Sequence, residues 1–206
     1  MADALPEPAY DEAPRVGRPR DPRVDEAVRA ATLELLVEEG YQATSIQAIA
    51  RRAEVSAPSI YRRWSSKAEL IEEAVFPDPY VEPTALTGDL EHDLTTYCRS
   101  IIGHLGDPAV RAAIPGLLTE YQTDPHLWHR LAQRSVTPMR QAFARFLAET
   151  DHEPVGSVDA LFDVMMGSLF VRAINSGAAG ADAFAGEVAR IVAQSLRPVR
   201  RRRRLR

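Results

Sequence analysis

The chain has 206 residues, 45% hydrophobic and 26% charged, which is the composition of a globular protein with one sizeable or two small domains. No apolar run reaches the roughly 18 residues of a membrane span, and the acidic, proline-rich N-terminus is unlike a signal peptide. The single cysteine, Cys98, excludes an intramolecular disulfide and is typical of a reducing compartment. We therefore expect a cytoplasmic protein with no membrane partner.

The formal net charge of −4 conceals an uneven distribution of charge along the chain. Residues 15–67 carry ten Lys and Arg against seven Asp and Glu, a net of +3, whereas residues 68–196 carry a net of −10. The last ten residues add seven arginines and no acid. Such segregation would orient the basic front of the protein toward a polyanion.

The first helix is expected after a disordered arm of residues 1–17, which holds prolines and acids and little to bury. Asp21 is placed to cap this helix, with Pro22 at its first position. One apolar face then repeats at helical spacing through Val24, Ala27, Val28, Ala31 and Leu35. Gly40 is expected to end the helix.

The stretch from Thr44 to Leu70 reads as two short helices joined by a tight turn, followed by the start of another helix. Thr44 is a candidate cap for the first of them, and Ser56 for the second, which has Pro58 in its first turn. Ile60 and Trp64 are four residues apart, so both can face the preceding helix. A short helix with a buried rear and a front of small, aromatic and basic side chains fits the DNA major groove.

Six further helices are predicted after this stretch, and no strand. Ser66 to Glu69 has the spacing of a capping box for the fourth helix of the chain, and prolines at 77, 79 and 83 follow that helix as a candidate domain boundary. Leu90 to Leu105, closed by Gly106, forms the next helix. Asp107-Pro108 and Asp124-Pro125 open two more, which Pro115-Gly116 and Pro138 should kink or break. The last two run from Val158 after Ser157 and from Phe184 to Leu196, giving nine helices in all.

The order of residues over about 18–75 resembles the DNA-binding domain of the TetR family of bacterial transcriptional regulators. The matching residues are Gly40-Tyr41, Thr44-Ser45, Ile49-Ala50, Val55-Ser56, Ile60-Tyr61, Trp64, and Ser66-Lys67 with Leu70. Glu54 departs from the glycine that the family often has at the turn between the two short helices. A non-glycine residue with positive φ costs roughly 1 kcal/mol or more there, so the turn could be shaped differently.

The resemblance implies an all-α fold in which a helix-turn-helix domain, residues 18–66, precedes a helical effector-binding and dimerisation domain, residues 67–196. The remaining residues, 197–206, form an arginine-rich tail. The implied partners are a double-stranded DNA operator, a second copy of the chain and a small-molecule effector. The implied function is that of a repressor which the effector releases from a palindromic operator.

The candidate DNA-binding residues are Arg18, Arg20, Thr44, Ser56, Ala57, Pro58, Ser59, Tyr61, Arg62, Arg63 and Lys67. Arg18 and Arg20 are similar to the basic arm of many family members. We expect Thr44, Tyr61 and Lys67 to contact phosphates, a role that the resemblance also implies for Tyr61 and Lys67.

Base reading is expected from Ala57 and Pro58 by apolar contact, and from Ser59 and Arg62 by hydrogen bonds. Arg62 is the best single candidate, since a guanidinium can bind O6 and N7 of a guanine together. Arg63 is rotated by about 100° on the helix and is expected nearer the DNA backbone.

The candidate effector residues are large side chains on helices that the family packs around a cavity: Tyr97, Ile101, Leu117, Tyr121, Trp128, Phe143, Met166 and Phe170. The alternative for each is that it only fills the core. A mainly apolar pocket with a few polar groups would suit a hydrophobic or aromatic ligand. Such a ligand would act through the fourth helix, the short covalent path between the domains.

A homodimer is expected on the last two helices, where Met165, Met166, Leu169 and Phe170 cover more than one helix face. Two other classes of protein remain open. One is an architectural DNA-binding protein that uses the arginine tail and has no effector. The other is an enzyme, for which the sequence offers no phosphate loop, nucleophile motif or cofactor site.

Metal binding by His126 and His129, with His104 or Asp124 near them, is the less favoured interpretation of those residues, and no metal site is predicted. Cys98, beside Tyr97 on an apolar helix, is interpreted as a small core residue rather than a redox sensor.

Overall fold

The computed structural model of the protein describes residues 22–77, 86–150, 152–177 and 179–199. These residues form ten α-helices, one π-helical turn and two short strands. The elements are α1 (Pro22–Ala43), α2 (Ile46–Arg52), α3 (Ala57–Tyr61), α4 (Lys67–Val75), α5 (Leu90–Leu105), α6 (Pro108–Thr123), α7 (Pro125–Leu131), the π-helical turn (Ala132–Val136), α8 (Thr137–Glu149), β1 (His152–Pro154), α9 (Val158–Ser176), α10 (Ala181–Gln194) and β2 (Leu196–Pro198). The all-α fold class is therefore confirmed.

Helices α1 to α3 and the start of α4 enclose a small core of their own. We call these helices, together with their core, the reading unit. Its buried members are Val28, Ala31, Leu35, Ile46, Ala48, Ile49, Ala50, Ile60, Trp64 and Leu70. Ile60 and Trp64 both face this core, as their spacing predicts. Gly40, with φ 76° and ψ 175°, interrupts the helical path of α1 shortly before its end. The short helices of the unit are held by this shared burial, since helices of five to seven residues are not stable alone.

The turn between α2 and α3 closes with a complete Schellman motif around Glu54. Glu54 has a left-handed φ of 55°. Val55 N–H donates to Ala50 O at 2.9 Å, and Glu54 N–H donates to Arg51 O at 3.4 Å. The glutamate thus adopts the conformation that glycine would adopt more easily.

Helix α4 is capped at its start much as its sequence predicts. The Ser66 hydroxyl accepts from Glu69 N–H at 3.1 Å, which is one half of a capping box. The carboxylate of Glu69 reaches back to Ser65 rather than to Ser66, and accepts from its backbone N–H at 2.7 Å.

A second and larger core, which we call the main core, is built from α5 to α10 with one face of α1 and of α4. Leu36 and Tyr41 of α1 belong to it, as do Ile71 and Val75 of α4. Both helices therefore contribute side chains to both cores. The domain limits drawn from the sequence remain a prediction.

Two internal prolines have different effects on the helices that contain them. Helix α6 continues through Pro115. Before Pro138 the helix changes to a π-helical turn, in which Thr137 N–H donates to Ala132 O, five residues back. The single helix expected after Asp124 is thus divided into α7, the turn and α8, and the predicted number of nine helices is too low for this reason.

The expectation of no strand was wrong for two short segments. His152–Pro154 and Leu196–Pro198 pair antiparallel, with Glu153 opposite Arg197. Leu196 was assigned to the last helix, but α10 ends at Gln194. The tail therefore begins with a paired residue, since Arg197 Nε donates to Glu153 Oε1 at 3.0 Å.

None of the helices described is both long enough and apolar enough to cross a membrane.

Candidate nucleic-acid interface and effector core

Helix α3 presents a polar and aromatic front over a buried rear. Ile60 is fully buried against α2, whereas Pro58, Tyr61 and Arg62 are exposed and Ala57 is half-buried. Tyr61 keeps 51% of its surface exposed. The exposed front is the surface that the spacing of Ile60 and Trp64 predicts.

The helix begins through the backbone rather than through the predicted side-chain cap. Ser56 is exposed and its hydroxyl makes no capping hydrogen bond, whereas its carbonyl accepts from Ser59 N–H at 2.9 Å. Pro58 lies in the first turn, where a missing N–H has no cost. The Ser56 hydroxyl is therefore on the surface and not engaged as a cap.

The two adjacent arginines that follow α3 have different partners. Arg62 is exposed, and its Nη2 donates to the half-buried Ser59 Oγ at 3.0 Å. Arg63 turns back toward α1, where its Nε pairs with Asp25, and its Nη1 donates to Ser59 O at 3.1 Å. Only 14% of the Arg63 side chain is exposed. Arg63 thus braces α3 against α1, and the contact with the DNA backbone that was expected of it remains a prediction.

The structure also corrects the cap of α2. Ser45 is the cap residue, and its hydroxyl accepts from Ala48 N–H at 3.1 Å. Thr44 is fully buried, and its Oγ1 donates to Gly40 O at 2.8 Å. The Thr44 side chain is thus engaged within the fold, and a phosphate contact at this helix start remains a prediction.

Lys67 is half-buried at the start of α4. Its Nζ donates to Tyr41 O at 2.9 Å and lies 4.2 Å from the centroid of the Tyr41 ring. Burial lowers the pKa of Lys67, against the opposing effect of Glu120. Because an ammonium has three donors and one is used here, a phosphate contact by Lys67 remains a prediction. Arg18 and Arg20 lie outside the described residues.

Part of the positive charge counted in the sequence is neutralised on the surface of the reading unit. Arg52 donates to Glu38 at 2.7 Å and to Glu34 at 3.1 Å. Hydrogen bonds to these two acids raise the pKa of Arg52, and the bond from Arg52 lowers the pKa of Glu38. The net charge of +3 therefore does not translate into an evenly basic surface.

The structure brings seven of the eight candidate effector residues to the main core. Tyr97, Ile101, Leu117 and Phe143 are buried members, and Tyr121, Met166 and Phe170 are half-buried against them. The rings of Tyr97 and Phe143 are stacked with centroids 6.0 Å apart. Trp128 is different, since it is 46% exposed; the centroid of its ring lies 5.6 Å from that of Tyr121, in an edge-to-face arrangement.

Glu72 of α4 is a buried acid that the sequence reasoning did not single out. Only 1% of it is exposed, and Arg134 Nη2 donates to its Oε1 at 3.2 Å from the π-helical turn. Burial raises the pKa of Glu72 to about 7, while Arg134 and Arg130 act in the opposite direction. Burial and then Glu72 raise the pKa of Tyr121 on α6. The spacing of Glu72 from Ala68 and Val75, which are both buried, is the signal that placed it on the inner face.

The sequence also singled out two histidines, His126 and His129, and the cysteine. His126 and His129 are exposed, and Asp124 caps α7 by accepting from His126 N–H at 2.9 Å. Within the described ranges, no group of three or more His, Cys, Asp or Glu is placed to hold a metal ion. Cys98 is fully buried, and burial raises the pKa of its thiol to about 12.

An open cleft of about 270 Å³ lies elsewhere, between α1 and α4. Its walls include Asp25, Glu26, Arg29, Trp64 and Glu73. None of the eight candidate effector residues lines this cleft.

The fold and its exposed third helix define the class of the protein as a helix-turn-helix protein with a helical second domain. Residues 28–74 match the family model of bacterial regulatory proteins of the tetR family, and residues 84–192 match that of the tetracyclin repressor-like C-terminal domain. The chain belongs to the TetR family, and it is a helix-turn-helix transcriptional regulator.

Similar proteins extend over most of the chain. An uncharacterized HTH-type transcriptional regulator of Mycobacterium tuberculosis is 32% identical over 162 residues, which cover 76% of this chain and 78% of that protein. The crystal structure of the TetR family regulator SCO0332 has a TM-score of 0.63 at 26% identity, covering 85% of this chain and 100% of that one. FadR of Bacillus subtilis, solved in complex with stearoyl-CoA, shares the fold with a TM-score of 0.61 at 12% identity, over 84% of this chain and 99% of that chain.

Proposed function

We propose that the protein is a homodimeric repressor that binds a palindromic operator and is released from it by a small hydrophobic or aromatic ligand. The observation that carries this proposal is the position of α4. Leu70 of α4 packs in the core of the reading unit, whereas Ala68, Ile71 and Val75 of the same helix lie in the main core. A change in the main core therefore has a direct path to α3.

Recognition of DNA is assigned to the exposed front of α3. Arg62 and Ser59 would read base edges by hydrogen bonds, and Ala57 and Pro58 by apolar contact. Tyr61, Lys67 and the exposed Ser56 would bind phosphates and so position the helix, together with the arm that carries Arg18 and Arg20. Two such helices must lie about 34–36 Å apart to enter successive major grooves on one face of the duplex.

Dimerisation is assigned to α9 and α10. Met165 and Leu169, on which the expectation of a dimer was based, are buried in the main core of the same chain, and Met166 and Phe170 pack against it. The exposed apolar residues of these helices are instead Val164 and Val171, seven residues apart on α9 and 64% and 57% exposed, and Ile191 of α10, 58% exposed. These valines lie on a face that the main core of the same chain leaves uncovered. Pairing two helices from each subunit about a two-fold axis would cover them.

The effector site is assigned to the main core near Tyr97, Phe143 and Tyr121, which combine stacked rings with phenol hydroxyls. The complex of FadR with stearoyl-CoA is one case of this fold with a ligand that carries a long apolar acyl chain. A ligand acts by its difference in affinity for two arrangements of α4. The arrangement that it favours is the one in which the recognition helices no longer match the operator.

The test begins with selection of bound duplexes from a random library and from fragments of the organism's own genome. The proposal expects a palindromic consensus and nanomolar affinity. Hydrophobic and aromatic compounds are then screened for release of the protein from that operator. Binding without sequence preference would favour an architectural protein instead. Failure of every compound that raises the melting temperature to change operator affinity would contradict the effector mechanism.

A further inference from the structure

One side chain, Tyr41, joins the reading unit to the main core at the point where α1, α4 and α6 meet. Its ring is 6% exposed and lies directly on Gly116 of α6. A Cβ atom added at Gly116 would overlap Cγ, Cδ1 and Cε1 of the ring. The Tyr41 ring can therefore pack against the backbone of Gly116 only because this residue has no side chain.

Tyr41 has two further contacts, one at its hydroxyl and one at its ring and carbonyl. Tyr41 Oη donates to Glu120 Oε1 at 3.2 Å, one turn beyond Gly116 on α6. Lys67 Nζ lies over the ring and donates to the Tyr41 carbonyl at 2.9 Å. Burial and Glu120 both raise the pKa of Tyr41, so its hydroxyl remains a donor over the whole physiological range. The joint is defined by these four residues: Tyr41, Lys67, Gly116 and Glu120.

The joint lies immediately before the helices that read DNA. Gly40 breaks α1 just ahead of Tyr41, and its carbonyl accepts from Thr44 N–H at 3.2 Å and Thr44 Oγ1 at 2.8 Å. Ser45 then caps α2. A rotation of the Tyr41 ring against Gly116 would thus displace α2 through the short hydrogen-bonded segment from Gly40 to Ser45, and α2 would displace α3.

We propose that Tyr41 and Gly116 are positioning residues that set the orientation of the reading unit on the main core, and so set the separation of the two recognition helices in the dimer. This role differs from the one proposed for α4. Helix α4 would move when a ligand binds, whereas the joint would fix the orientation of the reading unit on the main core, through α1 and α6, before any ligand binds. It rests on the proposed function in one respect, namely that the dimer binds two half-sites at once.

The role predicts a dependence on operator geometry rather than on base sequence. A rigid dimer binds half-sites at one spacing and loses affinity when base pairs are inserted between them, since each changes both distance and rotation. A dimer with a loosened joint presents its two helices over a range of separations. Such a dimer binds the operator of native spacing with lower affinity, and its affinity falls less when base pairs are inserted between the half-sites.

The experiment uses the full chain and an operator selected from a random duplex library with the wild-type protein. Affinity is measured for the native spacing, for insertions of one and two base pairs, and for a duplex with one half-site. The variants are Gly116→Ala and Tyr41→Leu. The control is Gly103→Ala, because Gly103 lies within α5 and a Cβ added there would meet nothing within 4 Å.

For both variants we expect the affinity for the native spacing to fall by at least about tenfold, equivalent to about 1.4 kcal/mol. The affinity for the native spacing, divided by the affinity for a spacing with inserted base pairs, should be smaller than in the wild type. The affinity for the single half-site should stay at the wild-type value. Gly103→Ala should match the wild type in all three. Folded variants that keep the wild-type spacing ratio would overturn the proposal, and so would a loss confined to the single half-site.

A double-mutant cycle tests the contact itself and does not depend on DNA. The decrease in melting temperature caused by Gly116→Ala should disappear in a Tyr41→Ala background, because Cγ, Cδ1 and Cε1, the ring atoms that the new Cβ would meet, are then all absent. If Gly116→Ala alone does not fold, Tyr41→Leu and the double variant carry the spacing test. Additive decreases would contradict the contact. A wild type that binds DNA without sequence preference would overturn the proposed function together with this role, whatever the cycle shows.

Discussion

Four arginines lie within thirteen residues of the reading unit, 51–63, and the fold gives them different surroundings. Arg51 and Arg62 are exposed, Arg52 pairs with two acids of α1, and Arg63 pairs with Asp25. Similar spacing in the sequence thus leads to different roles, because each guanidinium finds whichever carboxylate the packing of α1 brings near it.

Replacement of the adjacent arginines should therefore affect different properties. Arg62→Ala should cost about 1–3 kcal/mol of operator binding and relax base preference at one position of each half-site. Arg63→Ala should lower the free energy of unfolding by roughly 1 kcal/mol, since it removes a partly buried charged pair. Operator variants and urea unfolding measure the two effects. Uniform loss of affinity in Arg62→Ala, with base preference intact, would make it a phosphate contact.

The buried Glu72 predicts a pH dependence of stability. Its pKa is raised from 4.5 to about 7 in the folded protein. Between these pH values the folded protein holds a proton that the unfolded chain has lost, so the contribution of Glu72 to stability falls as the pH rises. Below pH 4.5 this contribution is fully present, and above pH 7 it is lost.

Glu72→Gln should remove that dependence. Relative to the wild type, the variant should gain up to roughly 3 kcal/mol of unfolding free energy between the two ends of the window. Denaturant unfolding from pH 4 to pH 8 measures the difference. Glu149→Gln is the control, since Glu149 is exposed at the end of α8. Parallel stability curves for the wild type and Glu72→Gln would show that Glu72 is not the titrating group.

At the scale of the element, the turn between α2 and α3 contains a strained residue. Glu54 has a φ of 55°, where a side chain costs roughly 1–2 kcal/mol that glycine avoids. The hydrogen bonds of the Schellman motif offset that strain, so the turn forms with glutamate at a position where glycine is more usual.

Glu54→Gly should stabilise the protein by roughly 0.5–1 kcal/mol, because relief of the left-handed strain outweighs the greater freedom of glycine in the unfolded chain. Glu39→Gly, at an exposed site in α1, should instead destabilise it by about 1 kcal/mol. Thermal unfolding of both variants under one set of conditions makes the comparison. Destabilisation by Glu54→Gly would mean that the Glu54 side chain has a stabilising contact of its own.

The π-helical turn before α8 is a second local device with a long-range consequence. It accommodates the missing N–H of Pro138 by shifting the hydrogen-bond register, and it carries Arg134 to Glu72. The register shift therefore determines which helical residue reaches α4.

At the scale of the whole molecule, the exposed apolar residues of α9 predict a specific effect on assembly. Val164→Glu and Val171→Glu would each place a charge, with its two-fold copy, in the proposed interface. Both should shift the protein from dimer to monomer and weaken operator binding, whereas Val37→Glu, at a valine of α1 that is 58% exposed, should do neither. Sedimentation at micromolar concentration is the measurement. Dimers that persist in both α9 variants would place the interface elsewhere.

Much of the fold followed from the sequence because the responsible interactions are local. Helix starts at Asp107, Asp124 and Ser157 depend on side chains that bond to backbone two or three residues away, and these were predicted correctly. The buried faces of α1, α4 and α5 depend on a period of 3.6 residues, which is equally visible in the chain. The exposed front of α3 follows from that same period at Ile60 and Trp64.

Tertiary structure alone decided the contacts between residues far apart in the chain. Tyr41 meets Glu120 across 79 residues, Arg134 meets Glu72 across 62, and Arg63 meets Asp25 across 38. Periodicity indicates which face of a helix is buried, but not which partner that face meets or whether a charge on it finds a counter-charge. The pairing of Arg63 with Asp25 and of Thr44 with the Gly40 carbonyl was not visible in the sequence for that reason. The β1–β2 pairing was missed because three-residue strands are held by tertiary context rather than by their own sequence pattern.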